Sequence, residues 1–115
     1  MHARMRIAML AMPLLASAAA MAGEPQTPLE RARQLGGIYA IGKEGCGVSD
    51  TQLAAFKRQA DQELHGDKTL VAAYEKSLTE MATTIRQDKA WLASPHRDRD
   101  CVPTRMLFAA TALKN

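Results

Sequence analysis

Leu70, Tyr74, Leu78, Met81, Ile85 and Leu92 recur at steps of three, four and seven residues through the stretch 67–93. At 3.6 residues per turn such steps keep to one face. The stretch therefore predicts one long amphipathic helix, with Val71 and Ala82 widening its apolar stripe. Lys68, Glu75, Lys76, Glu80, Arg86, Gln87 and Lys89 fill the other faces. Gly66 stands before the stretch and Pro95 after it, which marks both ends. A helix with one apolar stripe draws most of its stability from packing, so the flanking segments must supply partners.

Three such segments are legible. Thr27-Pro28-Leu29-Glu30 is a T-x-x-E capping box with proline at the first helical position. The helix it opens is expected to run to Lys43 or Glu44, burying Leu29, Ala32, Leu35, Ile38 and Tyr39. Gly36 and Gly37 lie inside it, where each costs about 0.5–1 kcal/mol relative to alanine. Close helix–helix approach explains the pair better than a flexible joint, because no phosphate-loop spacing surrounds it. Gly45 is expected to take the left-handed position that ends this helix.

Ser49-Asp50-Thr51-Gln52 is an S-x-x-Q capping box, with Val48 and Leu53 at hydrophobic-staple spacing. Its helix carries an inward stripe of Leu53, Phe56, Ala60 and Leu64, and Lys57, Arg58, Asp61, Gln62 and Glu63 face water. Gly66 ends it, and Asp67 caps the long third helix. After Ser94-Pro95, the run His96-Arg97-Asp98-Arg99-Asp100 has no apolar residue and reads as an exposed loop. Pro103 then suits the first turn of a last helix with Met106, Leu107, Phe108, Ala110 and Leu113. No strand-like alternation appears. The fold class is all-α: a small bundle of about four helices, neighbours antiparallel and joined by short loops.

The first residues are expected to be a leader and not part of the fold. Arg4 and Arg6 precede an apolar run from Ile7 to Leu15, and small residues follow, ending in Ala20-Met21-Ala22. That is the pattern of a secretory signal peptide over residues 1–22, leaving 23–115 as a single helical domain. The apolar run is too short to span a bilayer comfortably, so no membrane association is expected after cleavage. The mature protein is expected to be periplasmic or secreted. Losing Arg4 and Arg6 lowers the formal charge from +3 to +1. The basic balance therefore belongs partly to the leader and gives no support to nucleic-acid binding.

A domain this small is marginal without an added constraint. Cys46 and Cys101 are the only cysteines, and in an exported chain a pair is expected to bond. Closing a loop of that length stabilises by about 4 kcal/mol in the chain-entropy model. A metal site is the weaker alternative, since there is no C-x-x-C and the histidines are scattered.

Enzyme signatures are missing: no G-x-S-x-G, H-E-x-x-H, S-x-x-K or C-x-x-C-H occurs. No catalytic, cofactor-binding or metal-binding residue is nominated. His65 falls at the end of the second helix, where a cation suits the helix dipole. The best contact candidates for another protein are Trp91, His96, Arg97, Asp98 and Arg99. The two arginines offer planar donors for carboxylates, beside a rigid disulfide. An ordinary solvated linker is the plainer reading of the charged run, and a core plug is the plainer reading of Trp91.

The expected function is that of an exported protein-binding module. The layout is similar to that of small helical immunity proteins and inhibitors that act by occluding a partner. The alternative is an acid- or stress-activated periplasmic chaperone, whose helical, single-disulfide layout this chain also resembles. The oligomeric state is left open.

Overall fold

The computed structural model describes residues 25–114. The expected leader and its cleavage site lie outside them. In chain order the elements are α1 (Pro28–Ala40), a π-helical segment (Ile41–Gly45), α2 (Asp50–Leu64), α3 (Lys68–Gln87), α4 (Lys89–Leu92), α5 (Arg97–Asp100) and α6 (Val102–Lys114). No strand occurs among the described residues. The protein is an all-α bundle of four longer helices, tied by a disulfide between Cys46 and Cys101.

The caps act as their sequences require. The Glu30 N–H donates to Thr27 Oγ1 at 3.1 Å and the Gln52 N–H to Ser49 Oγ at 3.2 Å. Asp67 Oδ1 accepts from the N–H groups of Thr69 and Leu70 at 2.9 and 3.1 Å. Each bond satisfies an N–H that the helix itself leaves unpaired. Val48 and Leu53 are both buried, as a staple demands. α2 ends in two left-handed residues, His65 at φ 52° and Gly66 at φ 70°.

The core collects Ala32 and Leu35 from α1, Leu53, Phe56, Ala60 and Leu64 from α2, Tyr74 from α3 and Phe108 from α6. The Phe56 ring lies 4.7 Å from that of Phe108 and 6.4 Å from that of Tyr39, centroid to centroid. Both disulfide cysteines belong to this cluster. Across the rim, Arg31 pairs with Glu63 at 3.0 Å, joining α1 to α2. The guanidinium's hydrogen bond holds the Glu63 carboxyl below its ordinary range.

Helices adjacent in sequence are not always partners in space, which corrects the expectation of antiparallel neighbours. α3 packs chiefly along α1, and α2 chiefly against α6. The glycine pair makes the first contact possible. A Cβ on Gly36 would overlap the backbone carbonyl of Tyr74, so the two helix backbones meet there. One turn away the Ser77 hydroxyl donates to the Arg33 carbonyl at 2.7 Å, a hydrogen bond across the same contact.

Three further expectations change. The stretch 67–93 is not one helix. It breaks at Asp88, whose φ of −86° and ψ of 70° are not helical, and α4 restarts immediately after it. Asp88 both ends α3 and caps α4, its Oδ1 accepting from the Trp91 N–H at 3.1 Å. The charged run 96–100 is not an open loop but contains the single helical turn α5. Gly45 is not left-handed either. The first helix widens into the π segment, where the Cys46 N–H reaches back to the Ile41 carbonyl at 3.0 Å. That wider turn satisfies the carbonyl a left-handed cap would have served. The positive φ, 62°, falls on Gly47. Gly45 and Gly42 give space instead. A Cβ on Gly45 would stand 2.9 Å from the Trp91 ring, and one on Gly42 2.5 Å from the Phe108 ring.

Candidate interaction surface

The segment from Trp91 into α6 brings the expected contact residues together at one end of the bundle. Trp91 is half-buried over Gly45. Its indole N–H donates to Asp100 Oδ2 at 3.0 Å, fastening α4 to α5. It also borders a shallow groove of about 330 Å³ with Ile41, Met81 and Ile85. Trp91 is thus neither wholly core nor a free anchor. An aromatic that is apolar on one side and hydrogen-bonded at its tip suits a boundary position.

The charged run divides by sign. The Asp98 carboxylate accepts from Arg105 at 3.2 Å, and the same guanidinium donates to the Cys46 carbonyl at 3.2 and 3.3 Å. Asp100 holds Trp91. Both carboxylates are therefore spent inside the protein, on α6 and α4. Arg99 is largely exposed, its nearest carboxylate oxygen 3.7 Å away on Asp100, and His96 is exposed. Arg97 is partly buried. An exposed pair of that length contributes little binding of its own, so Arg99 is free to exchange partners. The disulfide and the Arg105 bonds to Cys46 fix the base on which this turn stands.

Sequence reasoning did not mark the feature that follows the turn. α6 places Val102, Met106, Ala110 and Leu113 at steps of four and three, hence on one face. Val102 is 49 % exposed, Met106 66 % and Leu113 89 %, and Leu107 on the flank is 42 % exposed. The opposite face buries Phe108 and Thr111. The helix, VPTRMLFAATALK, contains Arg105 and Lys114 and no acidic residue. A contiguous exposed apolar stripe is unusual on a free surface and marks contact sites. The spacing was visible in the sequence. Its exposure was not, because α6 is apolar nearly all round and periodicity cannot choose the inward face.

Among the described residues, no three His, Cys, Asp or Glu side chains are grouped to hold a metal ion. His65 borders an open, polar hollow with Gln59, Gln62, Glu63 and Lys114, at the far end of α2. Among the described residues no helix is long and apolar enough to cross a membrane. No protein-family model matches this chain, and no curated protein or solved structure matches it.

Proposed function

We propose that this protein is an exported protein-binding module that acts by covering a site on its partner, as an inhibitor or immunity protein does. The observation that carries this reading is the exposed stripe of α6, set directly behind the exposed Arg99 and His96. Helix recognition of this kind uses anchors at i, i+4 and i+11, here Val102, Met106 and Leu113, laid into an apolar groove. Arg99 stands before the stripe and Lys114 at its end, with no acidic residue on the helix, so the fitting groove is bordered by carboxylates. Large apolar anchors at the centre of such a contact supply most of its affinity.

The test uses the oxidised protein and the double variant Met106→Glu, Leu113→Glu. Both side chains are exposed, so the variant should keep its thermal midpoint. Binding to a purified partner, recovered by cross-linking from an exported-protein fraction, should weaken at least tenfold, since two anchors are removed. A partner that binds the variant as tightly as the original argues against the reading, as does failure to recover any stoichiometric partner. Suppression of client aggregation in acid, undiminished in the variant, would replace it with the chaperone alternative.

A further inference from the structure

α6 rests on α2, with smaller contacts to the π-helical segment and α5, and its outer side is open along the whole helix. The order of sizes along that side is informative. Val102 and Met106 stand towards one end, Leu113 at the other, and Ala110 between them with the partly buried Ala109 beside it. The line thus has a long, flexible side chain on one half and a hollow on the other.

A second copy of the helix, turned end for end about a two-fold axis between Leu107 and Phe108, fits this line. Val102 of each copy then stands opposite Leu113 of the other. Met106 of each stands opposite Ala109 and beside Ala110 of the other, so the longest side chain enters the space that alanine leaves. Interlocking of this kind is what close helix packing requires. A parallel pair would set Met106 on Met106 and Leu113 on Leu113, and would leave the alanines facing each other across a gap.

Charge selects the same direction. Arg105 bends away from the open side to the Cys46 carbonyl and Asp98. Lys114 is then the charge at the end of the line. In a parallel pair the two Lys114 ammonium groups would be neighbours. End for end they lie a helix length apart, about 20 Å for 13 residues, which is about twice the Debye length at 0.1 M salt. Each Lys114 meets the α5 turn of the other copy, where Arg97, Asp98, Arg99 and Asp100 sum to no net charge. The helix dipoles also run opposite ways.

The contact is small. One face of a helix about 20 Å long and about 10 Å wide falls short of the roughly 800 Å² per copy that a stable interface buries. The pair therefore belongs with transient contacts.

We propose that two copies of the free protein pair reversibly through α6, antiparallel about a two-fold axis, and so cover Val102, Met106 and Leu113 of both. The dissociation constant is on the order of 0.1–1 mM. The pairing adds regulation to the function proposed above, because a second copy and a partner compete for the same anchors. A groove edged by carboxylates, complementary to Arg99 and Lys114, displaces the second copy.

Sedimentation of the purified, oxidised protein from about 10 µM to about 2 mM brackets that constant. No partner is present, so the pairing can fail while the partner reading stands, and the reverse. The weight-average mass should rise from that of one chain towards that of two. Met106→Glu with Leu113→Glu should keep the mass of one chain throughout, with an unchanged thermal midpoint. The direction is read by mixing a Val102→Cys protein with a Leu113→Cys protein at the highest concentration and oxidising them. Both positions are exposed, so the added thiols leave the core intact. The mixed disulfide should form several-fold faster than either self-linked product. Three results would overturn the proposal. One is the mass of a single chain across the whole range. Another is self-association undiminished in the glutamate variant, which would place the contact elsewhere. The third is a self-linked product that outpaces the mixed one, which would make the helices parallel.

Discussion

Gly36 and Gly37 are neighbours on α1, yet they should respond oppositely to one added methyl group. A Cβ at Gly36 would run into the Tyr74 carbonyl, which belongs to the α3 backbone and cannot swing aside. Gly36→Ala must push α1 and α3 apart, and overpacking of this kind costs about 1–3 kcal/mol or more. At Gly37 the nearest atoms would be Ser77 Oγ at 3.7 Å and Met81 Cε at 3.9 Å, ordinary contacts with flexible side chains. Gly37→Ala should therefore stabilise the protein by about 0.5–1 kcal/mol, since alanine is the better helix former. Urea denaturation of the two variants measures both signs. Equal destabilisation would show that the pair serves a joint and not a contact. The Gly-Gly doublet pointed to close packing, but only the fold separates the residue that makes the contact from its neighbour.

The elements most legible in the sequence were those that begin with a cap. Thr27, Ser49 and Asp67 each hold the local hydrogen bonds that their spacing announces. The inward stripe Leu53, Phe56, Ala60 and Leu64 is buried as its period requires. The break at Asp88 was hidden because Ile85 and Leu92 continue the apolar rhythm of α3 at a seven-residue step. A side chain that caps the turn following it leaves no mark on that rhythm. Asp88→Ala removes the bond to the Trp91 N–H and should lower stability by about 1 kcal/mol, the usual worth of an N-cap. Trp91 is the only tryptophan, so its emission should move to longer wavelength in the same variant. No change in either would mean that the Trp91–Asp100 bond alone secures α4. α5 was missed for a related reason. Its alternating charges look solvated until Arg105 and Trp91 are brought beside Asp98 and Asp100. The exposed anchors of α6 were in the sequence as letters, but the choice of face was made by Phe108 entering the space above Gly42.

At the scale of the whole molecule, the disulfide joins the turn after α1 to the base of α6 across 55 positions of sequence. α2 and α3 lie within the loop it closes. In the chain-entropy model a loop of that length contributes about 4 kcal/mol. That is a large part of the 5–15 kcal/mol typical of a native domain. The double variant Cys46→Ala, Cys101→Ala should lose about that amount in urea denaturation at neutral pH, and the oxidised parent treated with dithiothreitol after unfolding should match it. A loss below about 1 kcal/mol would mean that the unfolded chain is already constrained by other means.

Cys101 is wholly buried and Cys46 is 4 % exposed. Burial in the core they share with Phe56 and Phe108 closes the bond to solvent in the folded protein. An oxidant must therefore meet this chain while it is still open, and a reductant can attack only a molecule that has first come apart. Maturation becomes a race between sealing and thiol chemistry. Chains that close unoxidised are kept from correction, and finished ones survive in surroundings that would strip an accessible bond.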